Sequence, residues 1–179
     1  MLKLLSGLKP KTRAEIVDAG KIYQKIMGQS RLPAFYGEGL VADSYDGRME
    51  VLCMHLAVVM NALTGQGENG AKLNQAIYDV MIDDFDVALR EQGLSDTGVS
   101  RRIKPLAKMF YARAEMYWGA LSKDGDFNTI VEKHILAGEG EPKTENIEKL
   151  TAYIKNFAQN LDGLSLGDIA RARFSFPKL

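Results

Sequence analysis

Ten consecutive residues, VLCMHLAVVM from Val51 to Met60, carry a single polar side chain, a histidine. A helix that is apolar on every side must be covered all the way round, and a membrane span would need about 20 such residues. The run is half that long, so it predicts a buried helix about which the rest of the chain packs. Elsewhere apolar residues recur every three or four positions and alternate over no useful length. The chain is therefore read as all-α. Its 179 residues suit one domain with a genuine core, a bundle of about six helices plus short terminal turns spanning 1–179.

Local punctuation divides that bundle. Thr12 and Glu15 make a reciprocal capping box for a first helix whose Ile16, Ala19, Tyr23, Ile26 and Met27 share a face, and which ends near Gly28. SRLPAFYGEGLVAD resists helix, because Pro33 holds Leu32 extended and Gly37 and Gly39 follow, so it reads as an ordered loop anchored by Phe35 and Tyr36. The central helix is expected from Ser44 to Leu63, a third from Asn69 to Glu91 with Gly93 just past its end, and a fourth from Ser100 to Leu121. Pro105 falls in the second turn of that fourth helix and predicts an irregular or kinked start. A fifth covers Phe127 to Leu136, a sixth Thr144 to Leu161, and a last turn starts at Ser165 with Asp168 as its capping partner.

Charge names no partner, since 23 basic residues balance 23 acidic ones, and no nucleic-acid specificity is expected. Cys53 stands alone, which excludes an intrachain disulfide and a zinc site of several thiolates. MLKLLSGLKPKTR at the N-terminus has too short an apolar stretch for a signal-peptide core of about 7–15 residues. A cytoplasmic protein is expected, with contact at a membrane surface left open.

The stretch YDVMIDDFDVALREQG, Tyr78 to Gly93, concentrates carboxylates. At 100° per residue Asp79, Asp83, Asp86 and Arg90 form one stripe beside the apolar face of Met81, Phe85 and Leu89, and Asp84 projects elsewhere. Such a stripe is either a solvated face with an Asp86–Arg90 pair or a docking surface for a partner. A bundle di-metal centre would want Glu-x-x-His pairs, and neither His55 nor His134 follows a glutamate at that spacing, so no metal or other cofactor is expected. DGDFNTIVEKHI imitates a calcium loop but places Thr129 where glycine is needed and Ile135 where glutamate is. GQGENG lacks the lysine of a phosphate loop. An enzyme using Asp79, Asp83 and Asp86 with His55 nevertheless stays open as an alternative. Asp46, Arg48, Glu50 and His55 read as a structural knot holding the central helix, with Asp43 and Asp46 placed to hold Arg48. The fourth helix carries Arg101, Arg102, Lys104, Lys108 and Arg113, a basic face able to pair with the acidic third helix or to meet anionic lipid.

DGRME, Asp46 to Glu50, with His55 after it, DVALREQG, Asp86 to Gly93, and MFYARAEMY, Met109 to Tyr117, carry a resemblance to the ubiquinol-cytochrome c chaperone family, in a compact form similar to its bacterial members. The resemblance makes 12–121 the family-like core, 122–179 C-terminal helices packing on it, and 1–11 an N-terminal tail. It implies an assembly factor rather than an enzyme: a protein that binds newly made cytochrome b for the cytochrome bc1 complex, with the ribosome and the cytoplasmic face of the inner membrane as further contacts. Under it the client-facing residues are Asp79, Asp83, Asp86 and Arg90 on the third helix, and Arg101, Arg102, Lys104, Tyr111 and Arg113 on the fourth. The other class left open is a peripheral module on anionic membranes, or a metal- or quinone-linked enzyme.

Overall fold

The structure, a computed structural model, describes residues 13–37, 40–122, 125–137 and 142–179. The central helix α2 (Tyr45–Thr64) starts where Ser44 Oγ accepts the Gly47 amide at 3.1 Å. Every residue of the Val51–Met60 run is buried. Four helices cover it: α1 (Arg13–Ser30), α3 (Gly67–Glu91), α4 (Asp96–Ser122) and α6 (Thr144–Leu161), with α1 also packed along α3. A single turn α5 (Phe127–Ile130) follows α4, and a short α7 (Leu166–Ala170) is capped by Ser165, whose hydroxyl accepts the Asp168 amide at 3.2 Å and donates to its carboxylate at 2.5 Å. No strand occurs among the described residues, which makes the fold an all-α bundle.

Four local features differ from the sequence-based expectation, each for a physical reason. α4 begins at Asp96, four residues before Ser100, because Ser95 accepts the Val99 amide at its carbonyl, 2.8 Å, and the Gly98 amide at its hydroxyl, 3.4 Å. Helix then runs unbroken through Pro105, which is exposed, as is Arg101, so the carbonyl that loses a backbone donor faces water. The expected fifth helix gives way after Ile130 to a π-helical turn, Val131–Ile135. The wider turn brings Val131, Ile135 and Leu136 to the core together. Ile16, expected on the core face of α1, is half exposed, whereas Ala19, Ile22, Tyr23 and Ile26 are buried. Thr12, expected as the cap of α1, lies outside the described residues.

The loop ahead of α2 is ordered as expected. Phe35 closes a 3-10 turn (Pro33–Phe35) and is fully buried, and the Tyr36 hydroxyl donates to the Ser30 carbonyl. Its last residues press on α2 so closely that a Cβ at Gly47 would lie 2.1 Å from the Ala42 carbonyl oxygen and 3.0 Å from Val41. Only a residue without a side chain fits there, which gives the glycine of DGRME its physical reason. Gly47→Ala is expected to cost about 1–3 kcal/mol, as overpacking against backbone does, and to show as a lowered denaturant midpoint with an unchanged slope.

The C-terminal tail after α7 is built into the core. Phe174 is buried and Phe176 packs on Phe157 at 4.9 Å between ring centroids. Lys25 of α1 donates to the Ala172 carbonyl at 2.7 Å and to that of Phe174, and its ammonium stands 4.6 Å from the Phe174 ring. The cation thus satisfies carbonyls that an extended tail leaves without helical partners.

Candidate partner-binding surface

The residues expected to face a client fall into four places. Asp79 and Asp83 lie on the side of α3 that adjoins α1, where Gln75 donates to Asp79 at 2.7 Å and Asp83 is exposed. Arg90 turns to the α3–α4 corner and is shared by Asp86 and Asp96, which hold its guanidinium well above the usual arginine range. The ion pair joining α3 to α4 therefore runs from a base on α3 to an acid on α4, the reverse of the expected sense. Gly93, with φ +83°, takes the left-handed conformation that lets the chain turn there. Arg101, Arg102 and Lys104 stand exposed on α4.

Tyr111 and Arg113 look inward from α4. The Tyr111 ring lies 4.9 Å from that of Tyr78 on α3, at 34°. Burial, with Tyr78 adding to it, pushes the Tyr111 hydroxyl far above the usual phenol range. Arg113 grips Glu50 of α2 through Nε, 2.7 Å to Oε2, and Nη2, 2.6 Å to Oε1, with the carboxylate side chain only 10 % exposed. Asp84, set apart from the stripe by its angle, accepts from the Tyr23 hydroxyl at 2.8 Å and so ties α3 to α1.

The residues expected to hold the central helix divide likewise. Arg48 donates to Asp43 at 2.6 Å and lies 4.8 Å from the Tyr36 ring, which fastens the preceding loop to the first turn of α2. Asp46 is exposed and lines, with Glu50, Arg113, Lys133 and His134, a polar cleft of about 380 Å³. His55 is fully buried. The Val51 carbonyl can only accept, so Nδ1 carries the proton and donates to it at 2.8 Å; bare Nε2 accepts from the Tyr153 hydroxyl at 2.7 Å, which itself accepts from Gln29 at 3.0 Å. Rings of Phe35, Tyr153, Phe157 and Phe176 surround the imidazole at 5.3–5.7 Å. Burial lowers its pKa to about 4, leaving it neutral. With both nitrogens occupied and no open face, His55 is a cross-link between α2, α6 and α1. It is not presented to Asp79, Asp83 or Asp86.

Cys53 is equally enclosed, and burial raises its thiol pKa beyond the reactive range. Among the described residues no three His, Cys, Asp or Glu side chains are grouped to hold a metal ion, and no helix is long and apolar enough to cross a membrane.

Two comparisons bear on this arrangement. Residues 39–176 match the sequence model of a family described as ubiquinol-cytochrome C chaperone, a match that continues through α6 and the tail, well past the motifs quoted above. The crystal structure of the Cbp3 homolog from Brucella abortus superposes with a TM-score of 0.77 at 28 % identity, covering 93 % of this chain and 92 % of that one. No curated protein sequence matches.

Proposed function

We propose that this chain, which belongs to the ubiquinol-cytochrome C chaperone family, is a non-enzymatic assembly factor that binds newly made cytochrome b and supports biogenesis of the bc1 complex. The family match over most of the chain carries the reading. The chemistry of the interior supports it: His55 and Cys53 are enclosed by packing, while charged side chains such as Asp83, Arg101, Arg102 and Lys104 stand exposed on α3 and α4. A client-facing role is assigned to Asp79, Asp83 and Asp86 with the exposed Arg101, Arg102 and Lys104, and peripheral contact with the inner membrane or the ribosome falls to those same basic residues. Arg90, Tyr111 and Arg113 would act by fixing α3 and α4 in place.

The test is capture in cells. A photoreactive residue at Asp83 is expected to crosslink cytochrome b, whereas one at the exposed Asn156 of α6 is not. Reversing charge in the double variant Asp83→Lys, Asp86→Lys should reduce capture at least fivefold with a stability change below about 1 kcal/mol, because only exposed pairs are lost. Equal capture from both positions, or none of cytochrome b from either, would overturn the assignment.

A further inference from the structure

The seam between α1 and α3 is an open trough. Its α1 wall descends through Ile16, Gly20 and Met27 to Arg31 just past the helix end, and its α3 wall through Val80 and Val87, with depressions of about 290 and 580 Å³ that meet at Val80 and Asp83. A third, of about 190 Å³, continues past Met27 and Arg31 to Tyr45 at the start of α2. Ile16, Val87 and Tyr45 are each more than half exposed and all three line this trough. They are the three most exposed large apolar side chains among the described residues. Concentrated exposure of that kind marks a surface that is covered in use.

Two glycines sharpen the point. Gly20 and Gly28 lie inside α1, where glycine weakens a helix relative to alanine, yet a Cβ at either would meet nothing within 4 Å. The fold itself has no need of them. They lower the α1 wall at two turns, so that a second backbone can settle against it. The charges around the opening are Asp79, Asp83 and Asp84 against Arg31, with Asp84 bonded to Tyr23 and Asp83 lacking a hydrogen-bond or ion partner among the described residues. The trough therefore has an apolar floor, a small-residue wall and a net negative rim.

Resting on the chaperone reading above, we propose that this trough is the client seat, and that its occupant is an α-helix of the client, apolar on the entering side and bearing a lysine or arginine opposite Asp83. The span of α1 from Ile16 to Ser30 is roughly 21 Å of helix, which suits an occupant of about four turns.

The test uses the full chain, overlapping 20-residue peptides that tile cytochrome b, and a model leucine–alanine helix carrying two lysines, each fluorescein-labelled and followed by anisotropy. Gly20→Leu and Gly28→Leu fill the trough without touching the core, so both variants should melt no lower than the parent. Apolar cytochrome b peptides with a basic residue are expected to bind the parent and to bind each variant at least tenfold more weakly, and a glutamate version of the model helix should bind at least tenfold more weakly than the lysine one. Cytochrome b peptides that bind parent and variants equally would place the client elsewhere and overturn the trough while leaving the chaperone function standing. Binding of the model helix alone, lost in the variants, would keep the trough and remove cytochrome b as its client. Failure of both probes overturns the trough. So does a variant lacking residues 1–12 that binds either probe tenfold more tightly, since the chain's own leucine- and lysine-bearing N-terminal segment would then be the occupant.

Discussion

Glu50→Ala should lower stability by about 2–3 kcal/mol. Removing one member of a buried pair strands the other charge, at about 3–5 kcal/mol when enclosure is complete. Here the guanidinium side chain keeps 20 % of its surface in water, which reduces the cost. Hydrogen bonding to Glu50 is the largest influence raising the Arg113 pKa, and a guanidinium stays charged at neutral pH even when that partner is gone. Arg113→Met in the Glu50→Leu background should recover more than half of the loss, because two apolar residues of similar volume leave no stranded charge. Urea unfolding of the parent, Glu50→Leu, Arg113→Met and the double variant measures the coupling directly. If Glu50→Ala costs no more than an exposed pair, about 1 kcal/mol or less, then α2 and α4 are held by packing alone.

That pair also shows where sequence reading stops. Glu50 and Arg113 are 63 positions apart, and helical periodicity relates only residues three or four apart. What was legible was each residue's oddity: an acid at the threshold of a ten-residue apolar run, and an arginine inside MFYARAEMY. Periodicity fixed most of the face that α1 buries, as in Ala19, Tyr23 and Ile26, all of which reach the core. It placed Ile16 there too and was wrong, because a stripe on one helix says nothing of where the neighbouring helix ends. The tail was opaque for a related reason. RARFSFPKL has no helical pattern, and its role depends on Lys25, more than 140 residues earlier, meeting its carbonyls. Among the candidate site residues, angle alone separated Asp84 from Asp79, Asp83 and Asp86, and the Tyr23 hydroxyl gives that separation a structural meaning.

Acid should loosen the bundle above the pH at which its carboxylates protonate, and His55 should be the main cause. Its pKa is near 6.5 in an unfolded chain and about 4 in the fold. Between those values the unfolded state binds a proton that the folded state refuses, so stability rises with pH there. The contribution is complete above about pH 6.5 and declines by about 1.4 kcal/mol per unit as pH falls, to about 3 kcal/mol lost near pH 4. Three other groups need separating. His134, beside Arg113, Glu50 and Lys133, is also lowered, chiefly by burial, and titrates with the same sign. Asp126 and Asp168, held low by hydroxyl partners at Thr129 and Ser165, lose stability only at still lower pH. Urea midpoints measured from pH 7.5 to 4.5 should therefore slope steeply in the parent and in His134→Gln, and flatten in His55→Phe, whatever the absolute stability of that variant. A parent slope that survives His55→Phe would mean that the aromatic cage admits the charged imidazole, and that the Gln29–Tyr153–His55 chain is not the lock between α1, α2 and α6.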